Sequence, residues 1–96
     1  MADALALGGK IVLVTGGTRG IGRGIAARFE ELGADVIVCG RRPPDEDMRF
    51  IATDLRDPDQ VTRLFSTIKV KYGRLDVLVN NAGGSPPAEA AHASPR

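Results

Sequence analysis

Four consecutive apolar residues, Ile11-Val12-Leu13-Val14, run straight into the glycine-rich segment Thr15-Gly16-Gly17-Thr18-Arg19-Gly20-Ile21-Gly22. A run with no polar alternation, rich in β-branched side chains, suits a central parallel strand covered on both faces. Beyond the turn, Ile21, Ile25, Ala26, Phe29 and Leu32 recur at spacings of three and four. That pattern predicts a helix over Gly20 to Leu32 with those five residues on its buried face. Arg23, Arg28, Glu30 and Glu31 fall mostly outside, and Gly33 supplies a left-handed stop.

The same alternation continues along the chain. Ala34 to Cys39 is a second β-branched run, ended by Gly40-Arg41-Arg42-Pro43-Pro44, because two prolines cannot continue a ladder. Phe50 to Asp54 reads as a third strand, separated from the second by about nine residues, fewer than a helical crossover normally takes. An irregular loop or a single turn is expected there. Asp57-Pro58-Asp59-Gln60 is a helix start: Asp57 caps, Pro58 suits the first turn, and Gln60 stands where a capping box places its amide. Val61, Leu64, Phe65 and Ile68 mark the buried stripe of that helix, Gly73 ends it, and Asp76 to Asn80 is a fourth strand. Strands alternating with amphipathic helices imply an α/β fold with a parallel sheet and right-handed crossovers.

At the first strand–helix junction the leading amides of the helix lack partners, and the helix dipole adds partial positive charge. A pyrophosphate approaches such a terminus closely only where Cβ atoms are missing. Gly16 permits the sharp turn, Gly20 the approach of phosphate, and Gly22 close packing of helix on strand. A nucleoside triphosphate loop would end in Gly-Lys-Ser/Thr, and this turn has no lysine.

The glycine spacing is T-G-x3-G-x-G, and two further segments follow in order: Asp54-Leu55 after the third strand, and Asn80-Asn81-Ala82-Gly83 after the fourth. Together they resemble the N-terminal part of the short-chain dehydrogenase/reductase family over roughly residues 8 to 84. The resemblance implies the N-terminal half of a Rossmann-type doubly wound parallel sheet, in the order β-α-β-short link-β-α-β. It also implies that Gly16, Thr18, Arg19, Gly20, Ile21 and Gly22 hold a dinucleotide pyrophosphate. Asp54 would then accept a hydrogen bond from the adenine amine, beside the Leu55 backbone amide. Asn81, Ala82 and Gly83, with Asn80, would brace the sheet and lie along the adenosine ribose.

In dinucleotide folds an acid near the end of the second strand bonds the ribose 2′-hydroxyl, whereas arginine there favours a 2′-phosphate. This sequence has Arg41 and Arg42 at that place, with Arg19 expected to join them, and Asp45 and Glu46 lie further along the loop. The forked guanidinium donors match phosphate, so NADP(H) is favoured over NAD(H).

Members of the resembled family transfer hydride between a nicotinamide and a carbonyl or alcohol substrate, using a serine, a tyrosine and a lysine four residues after it. The only tyrosine here is Tyr72, followed four residues on by Asp76, while Ser85 and Ser94 lie in a Ser/Pro/Ala-rich tail; no residue is assigned a catalytic role. The fourth strand, apolar at its centre, would leave a sheet edge unpaired. The chain is therefore expected to be a C-terminally truncated part of a longer enzyme. Residues 1 to 84 would form a partial dinucleotide-binding domain and residues 85 to 96 a loop. The parent is expected to be a homo-oligomer. The alternative is a stand-alone, non-catalytic dinucleotide-binding module.

Composition narrows the remaining classes. A net charge of +1 gives no broad field for nucleic acid or membrane surfaces. No stretch approaches the ~18 apolar residues of a membrane span, so a soluble cytoplasmic protein is the default expectation. Cys39 is the sole cysteine and lies in an apolar run, which marks it as a buried small hydrophobe rather than a reactive thiol. With His92 as the only histidine, no metal-ligand cluster is expected.

Overall fold

The continuous apolar run becomes β1 (Ile11–Thr15), and all five of its residues are buried. It sits inside a four-stranded parallel sheet of order β3-β2-β1-β4, with β2 (Asp35–Gly40), β3 (Arg49–Ala52) and β4 (Val77–Asn80) as its neighbours. A computed structural model describes residues 6–45 and 47–81. Leu13 is in register with Ile37 on β2 and with Leu78 on β4. Phe50 on β3 is in register with Val38.

Alternate residues of each strand face opposite sides of the sheet, which divides the core into two layers. Ile11, Leu13, Ile37 and Cys39 pack on one side with Leu64 and Ile68 of α2 (Pro58–Tyr72). Val12, Val14, Val36 and Val38 pack on the other with Ala26 of α1 (Gly20–Glu31). A helix on each face explains why β1 and β2 carry no polar alternation. The arrangement is the expected Rossmann-like α/β sheet, and residues 41–45 and 47–48, between β2 and β3, contain no helix.

Three details depart from the sequence expectation. Ile21 is 79% exposed rather than buried, and Phe65 is 40% exposed. In both helices the buried stripe is narrower than the apolar one. It centres on Gly22 and Ala26 in α1 and on Leu64 and Ile68 in α2, and a residue one step along is rotated by ~100°. The third departure is that β3 ends at Ala52, so Asp54 lies beyond the strand. Thr53 N still donates to Gly40 O at 2.8 Å, but Asp54 N turns away to Gln60 Oε1, also at 2.8 Å.

That turn also rewrites the cap of α2. Asp57 accepts from Asp59 N at 3.0 Å, as an N-cap should, and holds the Gln60 amide at 3.1 Å. The Gln60 carbonyl does not return to the Asp57 amide as in a capping box; it reaches back to Asp54, and Asp57 N donates instead to Asp54 O. Gly73 closes the helix in the left-handed conformation, φ 83°. Tyr72, like Leu75, packs against the Leu64 layer.

Leu64 is 1% exposed at the centre of its layer. Leu64→Ala is expected to lower unfolding free energy by about 2–5 kcal/mol in urea titrations, whereas Phe65→Ala, one residue on and half out of the core, costs markedly less.

Candidate functional site

The chain runs outward from β1 through β2 to β3 and then returns to β4 on the opposite side of β1. Where strand order reverses in this way, the loops at the carboxyl ends diverge and leave a crevice, the usual ligand position in open α/β sheets. The glycine turn lies at that place, between the end of β1 and the start of α1.

Gly16 and Gly20 have positive φ, 67° and 64°, a conformation that side-chain-bearing residues rarely adopt. A Cβ on Gly20 would meet nothing within 4 Å, so its outer side is open. Gly22 is the opposite case: a Cβ there would run into the Gly16 carbonyl and the Asn81 amide nitrogen. Gly17, which the sequence reading passed over, is equally constrained, because its Cβ would fall 2.6 Å from Val38 Cγ1. Thr18 lies beside Gly40, with its Cγ2 3.8 Å from where a Cβ on that glycine would stand.

The two helix starts differ in a way that bears on charge. α2 is capped by Asp57 and has Asp59 in its first turn. α1 begins at extended Arg19, has no side-chain cap and has no acid in its first turn. The positive end of the α1 dipole is therefore left uncompensated by protein carboxylates, facing the glycine turn.

Behind the turn, β4 is tied to β1 by part-buried polar contacts. Thr15 Oγ1 accepts from Asn81 N at 2.9 Å and lies within reach of Val79 O and Asn80 Oδ1. Asn81 Nδ2 donates to Gly16 O at 3.3 Å. Gly16 N in turn donates to Cys39 O at 2.9 Å, linking the turn to β2. The asparagines thus perform the bracing role, while Ala82 and Gly83 lie outside the described residues. Burial pushes the Cys39 thiol up, against a smaller opposing effect of the Gly16 backbone, as suits an inert core cysteine.

A cleft of about 270 Å³ opens at the carboxyl ends of β1, β2 and β3. It is lined by Gly16, Gly40, Arg41, Thr53, Asp54, Leu55 and Arg56. Of the expected arginines, Arg41 lines it, whereas Arg19 and Arg42 are exposed outside its lining. Arg56 is the residue that sequence reasoning missed. Its backbone N–H and Nε both donate to Asp54 Oδ1, at 3.0 and 3.1 Å, and its Nη2 donates to Oδ2 at 3.1 Å. This fork, with the side-chain bonds ahead of the backbone bond and a further contribution from Arg41, holds the Asp54 carboxyl down at about 2. Among the described residues no group of His, Cys, Asp or Glu could hold a metal ion, and no helix is long and apolar enough to cross a membrane.

The family model described as short chain dehydrogenase matches residues 10–96, and the chain belongs to that family of oxidoreductases. L-fucose dehydrogenase of Oryctolagus cuniculus is 41% identical over 97 residues, covering 93% of this chain and 34% of that protein. A 3beta-hydroxysteroid dehydrogenase of Mediterraneibacter gnavus is 43% identical over 86 residues, covering 77% of this chain and 31% of its own length. The ligand-free aldohexose dehydrogenase of Thermoplasma acidophilum superposes with a TM-score of 0.79 at 37% identity, over 92% of this chain and 38% of that one. The chain spans about a third of the length of the curated relatives it matches. Membership implies a nicotinamide dinucleotide cofactor.

Two predictions follow from the glycines and the carboxylate. Gly22→Ala is expected to destabilise the protein by about 1–3 kcal/mol in denaturant titrations, because backbone must move. Gly24→Ala, in the same helix with nothing within 4 Å of its Cβ position, is expected to stabilise it by ~0.5–1 kcal/mol. The Asp54 carboxyl is depressed in the folded state, so the stability it contributes is full above its ordinary value of 3.8 and is lost as pH falls towards about 2. Arg56→Ala should flatten that part of the acid-unfolding profile, measured by circular dichroism.

Proposed function

We propose that this chain is the cofactor-binding N-terminal part of an NADP(H)-dependent oxidoreductase acting on a carbonyl or alcohol substrate. The observation that carries the reading is the cleft whose lining brings together Gly16 of the glycine turn, Arg41 just past the end of β2, and Asp54 and Leu55 beyond the end of β3. The pyrophosphate would lie against the turn from Gly16 to Gly22, where the open side of Gly20 admits it and the α1 dipole favours it. Arg41 would hold the 2′-phosphate through its fork, with the exposed Arg19 and Arg42 adding positive charge. The adenine amine would donate to Asp54, with the Leu55 amide beside it, and Asn81 would hold the turn in shape from behind. When bound, the nicotinamide would donate or accept the hydride, and the residues of this chain would hold the adenosine and pyrophosphate part of the molecule.

The names of the relatives, an L-fucose, an aldohexose and a 3beta-hydroxysteroid dehydrogenase, are consistent with a carbonyl or alcohol substrate. A 2′-phosphate carries more charge than a hydroxyl, and Arg41 is the one described arginine in the cleft not joined in the Asp54 fork.

The test is a comparison of NADPH and NADH binding at fixed salt, by fluorescence of the reduced nicotinamide. NADPH is expected to bind more tightly, and Arg41→Asp to shift the preference towards NADH by about 10- to 100-fold, the worth of a charge-assisted hydrogen bond. Equal binding of the two cofactors, or an unchanged preference in Arg41→Asp, would overturn the NADP(H) assignment.

A further inference from the structure

An ionised carboxylate offers about four lone-pair sites, two on each oxygen. Arg56 alone takes three of those on Asp54: its N–H and Nε both meet Oδ1, and its Nη2 meets Oδ2. One acceptor site is left, on Oδ2. The main chain at Asp54 is also held, since its N–H donates to Gln60 Oε1 and its carbonyl accepts from Asp57 N. The side chain of Asp54 is 28% exposed and that of Arg56 is 76% exposed, so the carboxylate is the more sheltered member of the pair. Both residues line the cleft.

We propose that Arg56 is a positioning residue for base recognition: by filling three acceptor sites of Asp54 it fixes the carboxylate plane and presents the remaining site on Oδ2 to a single donor. A purine with an amine at position 6 supplies that donor. A purine with a carbonyl at position 6 brings a lone pair to the same place, and a carboxylate that cannot rotate has no way to relieve the repulsion. The low ionisation range of Asp54 removes the other escape, protonation, at any pH where the protein works. The modest effect of such an exposed ion pair on stability is read from the acid-unfolding profile, and its effect on the ligand separately, from binding. The inference rests on the dinucleotide reading above and adds to it the residue that sets base selectivity.

The experiment compares the binding of NADPH, NADH and the hypoxanthine analogue of NADPH to the wild-type protein and to Arg56→Ala and Arg56→Lys, at one salt concentration. Wild type is expected to prefer adenine over hypoxanthine by a factor of about ten or more, and Arg56→Ala to reduce that to within about threefold. Arg56→Lys keeps the charge but not the fork, so it should also lose most of the selectivity. The NADPH-to-NADH ratio should stay as in wild type in both variants, because Arg41 is untouched. Unchanged base selectivity in Arg56→Ala would overturn the proposal. So would tighter NADPH binding by Arg56→Ala, which would mean that Arg56 competes with the base for Asp54. Equal binding of adenine and hypoxanthine forms by wild type would refute this inference alone; failure of wild type to bind any dinucleotide would refute the cofactor reading and this inference with it.

Discussion

The close approach of α1 to the turn that precedes it is the constraint on which the rest of the structure depends. Gly22 has no room for a Cβ because the Gly16 carbonyl and the Asn81 amide occupy that space. The same Gly16 carbonyl accepts from Asn81 Nδ2, and the Gly16 N–H donates to Cys39 O. One residue therefore joins helix, first strand, second strand and fourth strand. Were α1 held further out by a side chain, its first-turn amides would move away from the crevice where the strand order reverses, and their dipole would act on solvent instead of a ligand.

The two helix starts show how local chemistry separates support from function. Asp57 satisfies the leading amides of α2 from within the chain, and that helix is free to act as a core element through Leu64 and Ile68. The start of α1 has no such carboxylate, and the glycines around it keep it accessible. Both helices carry an amphipathic stripe of similar quality. The difference lies in a few residues at the N-terminus, which close the start of α2 with a carboxylate and leave that of α1 without one.

Much of this was legible in the sequence, for identifiable reasons. The unbroken apolar run at Ile11 to Val14 can be satisfied only by cover on both faces, and Asp57-Pro58 and Gly73 bracket α2 by capping chemistry that acts over a few residues. The glycine turn was legible because strand, turn and helix each had their own signal. What escaped depended on contacts that periodicity does not encode. Ile21 and Phe65 lie on apolar stripes, yet the width of the actual contact leaves them exposed. The need for glycine at position 17 comes from Val38, on another strand. The role of Arg56 escaped because nothing in the spacing shows that the chain turns at Asp54 and folds the guanidinium back onto it. Signals of helix termini could have exposed part of this, because a Gln60 side-chain carbonyl displaced from its capping-box partner must find another donor, and it accepts from the Asp54 N–H.

The contacts between Thr15 and the segment from Val79 to Asn81 span about 65 residues of chain. The cleft walls from Gly16 to Arg56, by contrast, are joined by pairings between successive strands. Loop closure makes distant pairings form later than near ones. The order of assembly is therefore written into the topology: the cleft between the ends of β1, β2 and β3 can take shape while the chain is still short, but the brace behind the glycine turn waits for residue 81. A ribosome-bound chain would own the walls of the cleft before it owned the clasp behind the turn, so a fully braced glycine turn becomes a mark of completed sheet assembly.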